Sequence, residues 1–209
     1  MTRLLLLLAL AMPLAACAPG TPPGTSTPAA PGTSASAEAA RPSGPLPDES
    51  VYLLDAAWTD HRGDALQLAD LRGRPVLLSM VFTNCASACP LTVEDMKALA
   101  RAMPEPGGIR FVLVSLDPAR DTVEAMRRFA DAHGLGGDWT LLRGTPDDVQ
   151  MLAALLNVRY RPTPDGQVAH SNLIHVLDTD GRLVIQQEGL GTPPAAAVAA
   201  VEQALARNG

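Results

Sequence analysis

The chain has 209 residues, 47% of them apolar, with 16 basic against 22 acidic side chains and a formal charge of −6 at neutral pH. That is enough apolar material for one well-buried domain and too little chain for two of ordinary size. The net negative charge, with basic residues scattered apart from short pairs such as Arg127 and Arg128, argues against nucleic acid and anionic headgroups as electrostatic partners.

The N-terminus, MTRLLLLLALAMPLAAC, sets Arg3 before an apolar run that stops near Pro13 and leads into LAAC. The run is far shorter than the roughly 20 apolar residues that span a bilayer, which favours a cleaved signal over a permanent transmembrane anchor. Residues 1–16 resemble a bacterial lipoprotein signal. The resemblance implies that Cys17 becomes the first mature residue and carries the lipid, holding the protein to a membrane on its extracytoplasmic, periplasmic side. The alternative is an ordinary cysteine in a leader. Residues 18–48 are built of Ala, Pro, Gly, Ser and Thr with no apolar periodicity. They cannot bury enough surface to offset the entropy of ordering them, so residues 17–48 are expected to form a lipidated cysteine followed by a disordered tether.

Residues 49–209 are expected to form the folded domain. Weak extended pieces fall near 51–54 and 66–68, and stronger strands at 76–82, 110–116, 139–142, 172–177 and 183–187. Met96, Leu99 and Met103 stand at helical spacing in a helix over 90–103. Asp121 with Glu124 makes a capping-box pattern for a second helix that ends at Gly134. Thr145-Pro146 and Thr192-Pro193 each place a capping hydroxyl before a proline, starting helices that run to about 157 and 207. DTDG between the last two strands predicts a hairpin turn. The order β-α-β-α-β-α-β-β-α from residue 76 is α/β, and it looks like a thioredoxin-like fold with an inserted β-α unit at 139–157, its mixed central sheet flanked by helices.

The domain holds two of the chain's three cysteines, Cys85 and Cys89, in FTNCASACP at the mouth of the first strand-to-helix turn. Unpaired backbone donors and the helix dipole there favour thiolates. The C-x-x-x-C spacing brings both sulfurs onto one side of a turn, a metal clamp as readily as a redox pair. Two soft thiolates suit Cu(I), zinc or an iron-sulfur cluster, and a closed zinc site would need two further ligands. Among the four histidines, His133 reads as a partner of a helix C-terminus and His61 as a surface turn residue. Strand parity puts His175 with Leu173 and Leu177 as a structural histidine. His170 lies just before that strand, in VAHS. In a thioredoxin-type sheet the strand runs antiparallel to the one ending at the cysteines, so His170 is expected to face Cys85 and Cys89. Thioredoxins place a cis-proline at this approach; residues 169–172 contain no proline, which tells against a generic reductase.

FTNCASACP, LVSLDPARDT and VAHSNLIHVLDTDG, in that order, resemble the Sco (SenC) family of copper-delivery proteins over about residues 50–206. The resemblance implies a membrane-tethered thioredoxin-fold protein that binds one copper ion, Cu(I) or Cu(II), through Cys85, Cys89 and His170. It also implies a copper-accepting subunit of a respiratory enzyme as partner, namely the copper centre of a cytochrome c oxidase. Asp117, in LDP at the carboxyl end of the second strand, is expected near the site by the usual rule for α/β sheets, either behind the ligands or facing a partner; a turn role is the alternative.

Two further functions remain open. An extracytoplasmic thiol-disulfide reductase with Cys85 and Cys89 as its catalytic pair would keep a partner's copper-ligand cysteines reduced. A merely structural disulfide is disfavoured, because so short a loop gives little entropic stabilisation. His170 separates metal binding from dithiol exchange, which does not require it.

Overall fold

The computed structural model describes residues 44–85, 88–103, 108–164 and 166–206. The leader, Cys17 and most of the tether lie outside the described residues. Among the described residues, no helix is long and apolar enough to cross a membrane.

Seven strands form one mixed sheet: β1 (Trp58–Asp60), β2 (Ala65–Leu66), β3 (Val76–Val81), β4 (Arg110–Ser115), β5 (Trp139–Arg143), β8 (Leu173–Leu177) and β9 (Leu183–Glu188), ordered β2-β1-β5-β4-β3-β8-β9. Two more, β6 (Tyr160–Pro162) and β7 (Val168–His170), pair only with each other. The helices are α1 (Ala88–Ala102), α2 (Val123–Ala132), α3 (Pro146–Leu155) and α4 (Ala195–Ala206). β3 lies parallel to β4, and β4 to β5, joined through α1 and α2 as right-sized crossovers. Every residue of β3 is buried. That explains why its sequence is a continuous apolar run rather than an alternating one, since both faces of a central parallel strand are covered.

The expected β-α insert is present as β5 and α3. α3 starts with the predicted Thr145 cap before Pro146 at the first helical position, and Asp148 adds a reciprocal hydrogen bond to the Thr145 backbone N–H. Two predicted caps are corrected. α2 is capped by Thr122, whose Oγ1 accepts from Ala125 N–H, while Asp121 is buried and points elsewhere. Thr192 Oγ1 donates to the Glu188 carbonyl at 2.9 Å, and α4 begins three residues later.

Residues 51–54, expected to be extended, form a 3-10 turn over Val51–Leu53 started by Ser50, whose hydroxyl accepts from Tyr52 N–H at 3.1 Å. A second 3-10 turn, Leu68–Leu71, replaces the end of the weak piece at 66–68. His61 is a further correction. It is buried rather than on the surface, and its Nδ1 accepts from Leu141 N–H at 3.3 Å beside the β1–β5 pairing. His175 is the structural histidine that parity predicts. It is fully buried, with Nε2 2.8 Å from the Leu156 carbonyl and Nδ1 3.3 Å from that of Leu78. Burial pushes its pKa down, so the ring stays neutral at pH 7, with the closer carbonyl taking its proton.

The hairpin between β8 and β9 turns on DTDG as expected: Asp178 Oδ1 accepts from Asp180 N–H and Arg182 N–H at 3.0 and 2.9 Å. Gly181 has φ +81°, and a Cβ there would stand 2.6 Å from the Tyr52 ring and 2.8 Å from Ser50 Oγ. Gly181→Ala therefore combines left-handed strain with a steric clash and is expected to cost about 2–4 kcal/mol. The check is a urea unfolding curve. Because the turn closes the end of β8 opposite His170, cysteine reactivity at native conditions should be unchanged, and a wild-type midpoint would contradict the packing described.

Candidate metal centre

The chain leaves β3 at Val81, and the next residues carry the site in quick succession. Phe82 is buried, Thr83 and Asn84 make a turn, and Cys85 follows, its N–H donating to the Phe82 carbonyl at 3.3 Å. α1 then begins at Ala88, so Cys89 is its second residue and Pro90 its third. Cys89 N–H donates to Cys85 Sγ at 3.3 Å. This is how the three-residue spacing is used: one of the orphan amides of the first helical turn is spent on the first cysteine's sulfur.

His170 arrives from the other side of the sheet. β8 pairs antiparallel with β3, Ser79 opposite Ile174 and Val76 opposite Leu177, which returns the approach to β8 to the end of β3 where the cysteines lie. His170 ends β7 instead of standing in a free approach, directly across from Tyr160 on β6. Its Nε2 is 3.8 Å from Cys89 Sγ, and its ring meets Phe82 edge-on at 6.0 Å between centroids.

The tautomer follows from the other ring nitrogen. Nδ1 lies 3.0 Å from the Ser171 carbonyl. A carbonyl oxygen can only accept, so Nδ1 carries the proton and Nε2 presents its lone pair to the sulfur. Burial also lowers the pKa of His170, keeping the ring neutral at pH 7. A neutral imidazole whose far nitrogen is held by a carbonyl is the form in which histidine ligates a metal.

For Cys89 the expectation of a stabilised thiolate is reversed. The residue is fully buried, and burial pushes its thiol well above the ordinary range, outweighing the helix terminus. Cys85 is half-buried and borders an open hollow of about 490 Å³ that also touches Arg120, Arg128, Phe129 and His133. Cys89 and His170 meet, but among the described residues no three His, Cys, Asp or Glu side chains already stand as a metal cage.

Asp117 falls on the loop after β4, as the rule for α/β sheets predicts, and its carboxylate is taken by Arg120. No hydrogen bond joins it to either cysteine or to His170 among the described contacts. The acid beneath the cysteine turn is Asp121, which accepts from Thr83 N–H, Thr83 Oγ1–H and Ser115 Oγ–H. Sequence reasoning missed it because Asp121 and Thr122 are adjacent residues of equal capping ability. Only the three-dimensional path of the chain decides which one caps.

A model of the SCO1/SenC family matches residues 55–206. The mitochondrial SCO2 homolog of Homo sapiens is 36% identical over 133 residues, covering 58% of this chain and 48% of that protein; the chain thus spans about half the length of the curated relatives it matches. The structure of Bradyrhizobium japonicum ScoI with copper bound superposes with a TM-score of 0.60 at 27% identity, over 71% of this chain and 96% of that one. BsSco, described as a member of the Sco family of cytochrome c oxidase assembly proteins and as having a disulfide switch, shares the fold with a TM-score of 0.62 at 23% identity, over 71% and 90%. With a thioredoxin-like fold, the three motifs in one domain and a family match over most of its length, the chain belongs to the SCO1/SenC family.

Proposed function

We propose that the chain binds one copper ion through Cys85, Cys89 and His170 and delivers it to a respiratory copper enzyme, the copper centre of a cytochrome c oxidase subunit. The observation that carries this reading is the contact between Cys89 Sγ and a histidine nitrogen whose lone pair is aimed at it. Two soft sulfurs and a neutral imidazole are the donor set that copper prefers. The copper held by ScoI of Bradyrhizobium japonicum and the assembly role in BsSco's description support the same reading.

Copper is cargo here, and the residues divide the work. Cys89 supplies a fully buried sulfur, and the half-buried His170 supplies the imidazole in contact with it. Cys85, on a turn bordering the open hollow, supplies the third and is the donor that an acceptor's ligand can reach. The thiols must lose their protons to the solvent as copper binds, while Nε2 is already free of one. A disulfide consumes both sulfurs, so oxidation of the pair and copper loading exclude each other. The half-buried Cys85 also favours the second reading, reduction of a partner's disulfide. In that reaction the Cys85 thiolate attacks one sulfur of the partner's disulfide, breaking its S–S bond and releasing the other as a thiol. Cys89 then attacks the Cys85 sulfur of the mixed disulfide and displaces the partner's second thiol, leaving the Cys85–Cys89 disulfide behind.

Copper titration of the reduced protein separates the two. Wild type should take up one equivalent, and Cys85→Ser should take up none while keeping its circular dichroism spectrum. His170→Ala should weaken Cu(II) binding by more than about tenfold and Cu(I) binding by less, because the harder ion benefits more from nitrogen. Equal affinities for both ions in wild type and His170→Ala would refute the three-donor site and leave the reductase reading.

The tether and lipid belong to the same proposal: a lipid on Cys17 holds the domain at the periplasmic side of a membrane, within reach of a membrane-embedded acceptor. Cys17→Ser should give an exported protein without lipid that leaves the membrane fraction on salt washing. Persistent integral-membrane behaviour of that variant would mean an uncleaved anchor instead.

A further inference from the structure

Asp121 is 1% exposed, and among the described residues it pairs with no Lys or Arg. A buried carboxylate without a cation is costly unless donors surround it. Here the donors are Thr83 N–H at 3.1 and 3.2 Å from the two oxygens, Thr83 Oγ1–H at 2.6 Å and Ser115 Oγ–H at 2.5 Å. Ser115 Oγ in turn accepts from Asp117 N–H at 3.0 Å, and Asp121 N–H donates to the Asp117 carbonyl at 2.9 Å. The helix that follows does not need this carboxylate, since Thr122 caps it. Its contacts all go to the last residue of β4 and to the second residue after β3, joining two strand ends that no backbone pairing joins beyond Val81 and Leu116.

Thr83 stands between the two halves of the candidate metal centre. One residue before it, Phe82 backs the ring of His170; two residues after it comes Cys85. We propose that Asp121 is a positioning residue of this centre, holding through Thr83 the turn that presents Cys85 and the aromatic wall against which His170 rests. Burial raises its carboxyl above the usual range, and the Ser115 and Thr83 donors only partly oppose that rise. With the clamp in place the turn keeps Cys85 Sγ on Cys89 N–H in the dithiol state. Without it, the turn gains freedom to close toward the disulfide, and the donors lose their common aim.

The role rests on the proposed copper site for its metal arm alone; its redox arm needs no copper. The full-length protein and its Asp121→Ala, Asp121→Asn and Thr83→Val variants are equilibrated with dithiothreitol redox buffers, and Cu(I) affinity is measured by competition with bicinchoninate. Asp121→Ala should move the Cys85–Cys89 equilibrium about tenfold toward disulfide, about 30 mV in potential, and weaken Cu(I) binding about tenfold. Asp121→Asn keeps an acceptor for Thr83 and a group that can donate to Ser115, so it should restore both values to within about threefold of wild type. Thr83→Val removes one donor from a half-exposed residue and should move both values in the same direction by about threefold, which keeps the test standing if Asp121→Ala does not fold. A redox equilibrium unchanged in folded Asp121→Ala or in Thr83→Val overturns the proposal. So does Asp121→Asn behaving like Asp121→Ala, which would make charge rather than the clamp the operative property. A shifted redox equilibrium in the variants, with wild type taking up no copper, would support the clamp and refute the copper reading.

Discussion

The antiparallel pairing of β8 with β3 is the constraint on which the site depends. Cys89 and His170 are 81 residues apart in sequence, and nothing local brings them together. The register, Ser79 opposite Ile174, does so by returning the start of β8 to the end of β3. Such a register is strongly specified where both faces are buried, because a slip of one residue turns every side chain to the opposite face. Here the slip is resisted twice more: Ser79 Oγ donates to the Leu173 carbonyl at 2.8 Å, and His175 lies between the carbonyls of Leu78 and Leu156. A slipped β8 would leave a polar imidazole among apolar side chains with neither carbonyl, at a cost comparable to an unpaired buried polar group. The buried histidine that ligates nothing thus secures the one that faces the cysteines.

Burial and accessibility divide the donors in the same way. A group that is to hold a soft metal firmly profits from a dry environment, where competing water is excluded, but a thiol in that environment resists ionisation. Cys89 accepts that penalty as the fully buried second residue of α1. Cys85, half-buried on the turn, does not. The asymmetry suits either proposed chemistry, since metal transfer and disulfide exchange both need one sulfur that a partner can reach and one that it cannot.

Long apolar runs were legible in the sequence. β3, β4, β5, β8 and β9 fall where continuous or β-branched runs predict them, and α1 and α3 where helical spacing and a capping hydroxyl before a proline do; the signal is plainest in β3 and β8, where burial of every residue leaves a composition that local context cannot mimic. What escaped is short or polar. β1 is three residues long, and β6 and β7 pair through a segment with proline and two arginines. Strands of that length are made by their partners, and their own pattern is too brief to register. His61 was misjudged because TDHRGD has the composition of an exposed turn, yet the turn is folded back so that the ring reaches Leu141 N–H. Thr192 and Asp121 failed for one reason: a small polar side chain beside a helix start has several backbone partners within reach. The choice among them is made by the tertiary path of the chain.

Cys85, Cys89 and His170 were thus named as candidate ligands from motif order and from the direction of the strand after His170, and the fold brings Cys89 and His170 into contact, while Asp121, the group proposed to steady the turn, was not. This difference has a physical basis. Donor atoms at a metal centre are restricted to a few residue types, so their identity is a strong signal even in one sequence. A side chain that orients a ligand needs only a donor or acceptor of the right reach, and Asp, Asn, Ser and Thr all qualify. Asp121 differs from the other acids near the turn in its surroundings: almost no exposure, no cation among the described residues and two hydroxyls directed at it. Asp117, with the same chemistry four residues earlier, is paired with Arg120. Which of two chemically equivalent carboxylates lies under the cysteine turn is not written in their side chains: Asp117 pairs with Arg120 and Asp121 with the Thr83 and Ser115 donors, and that arrangement is information carried by the fold.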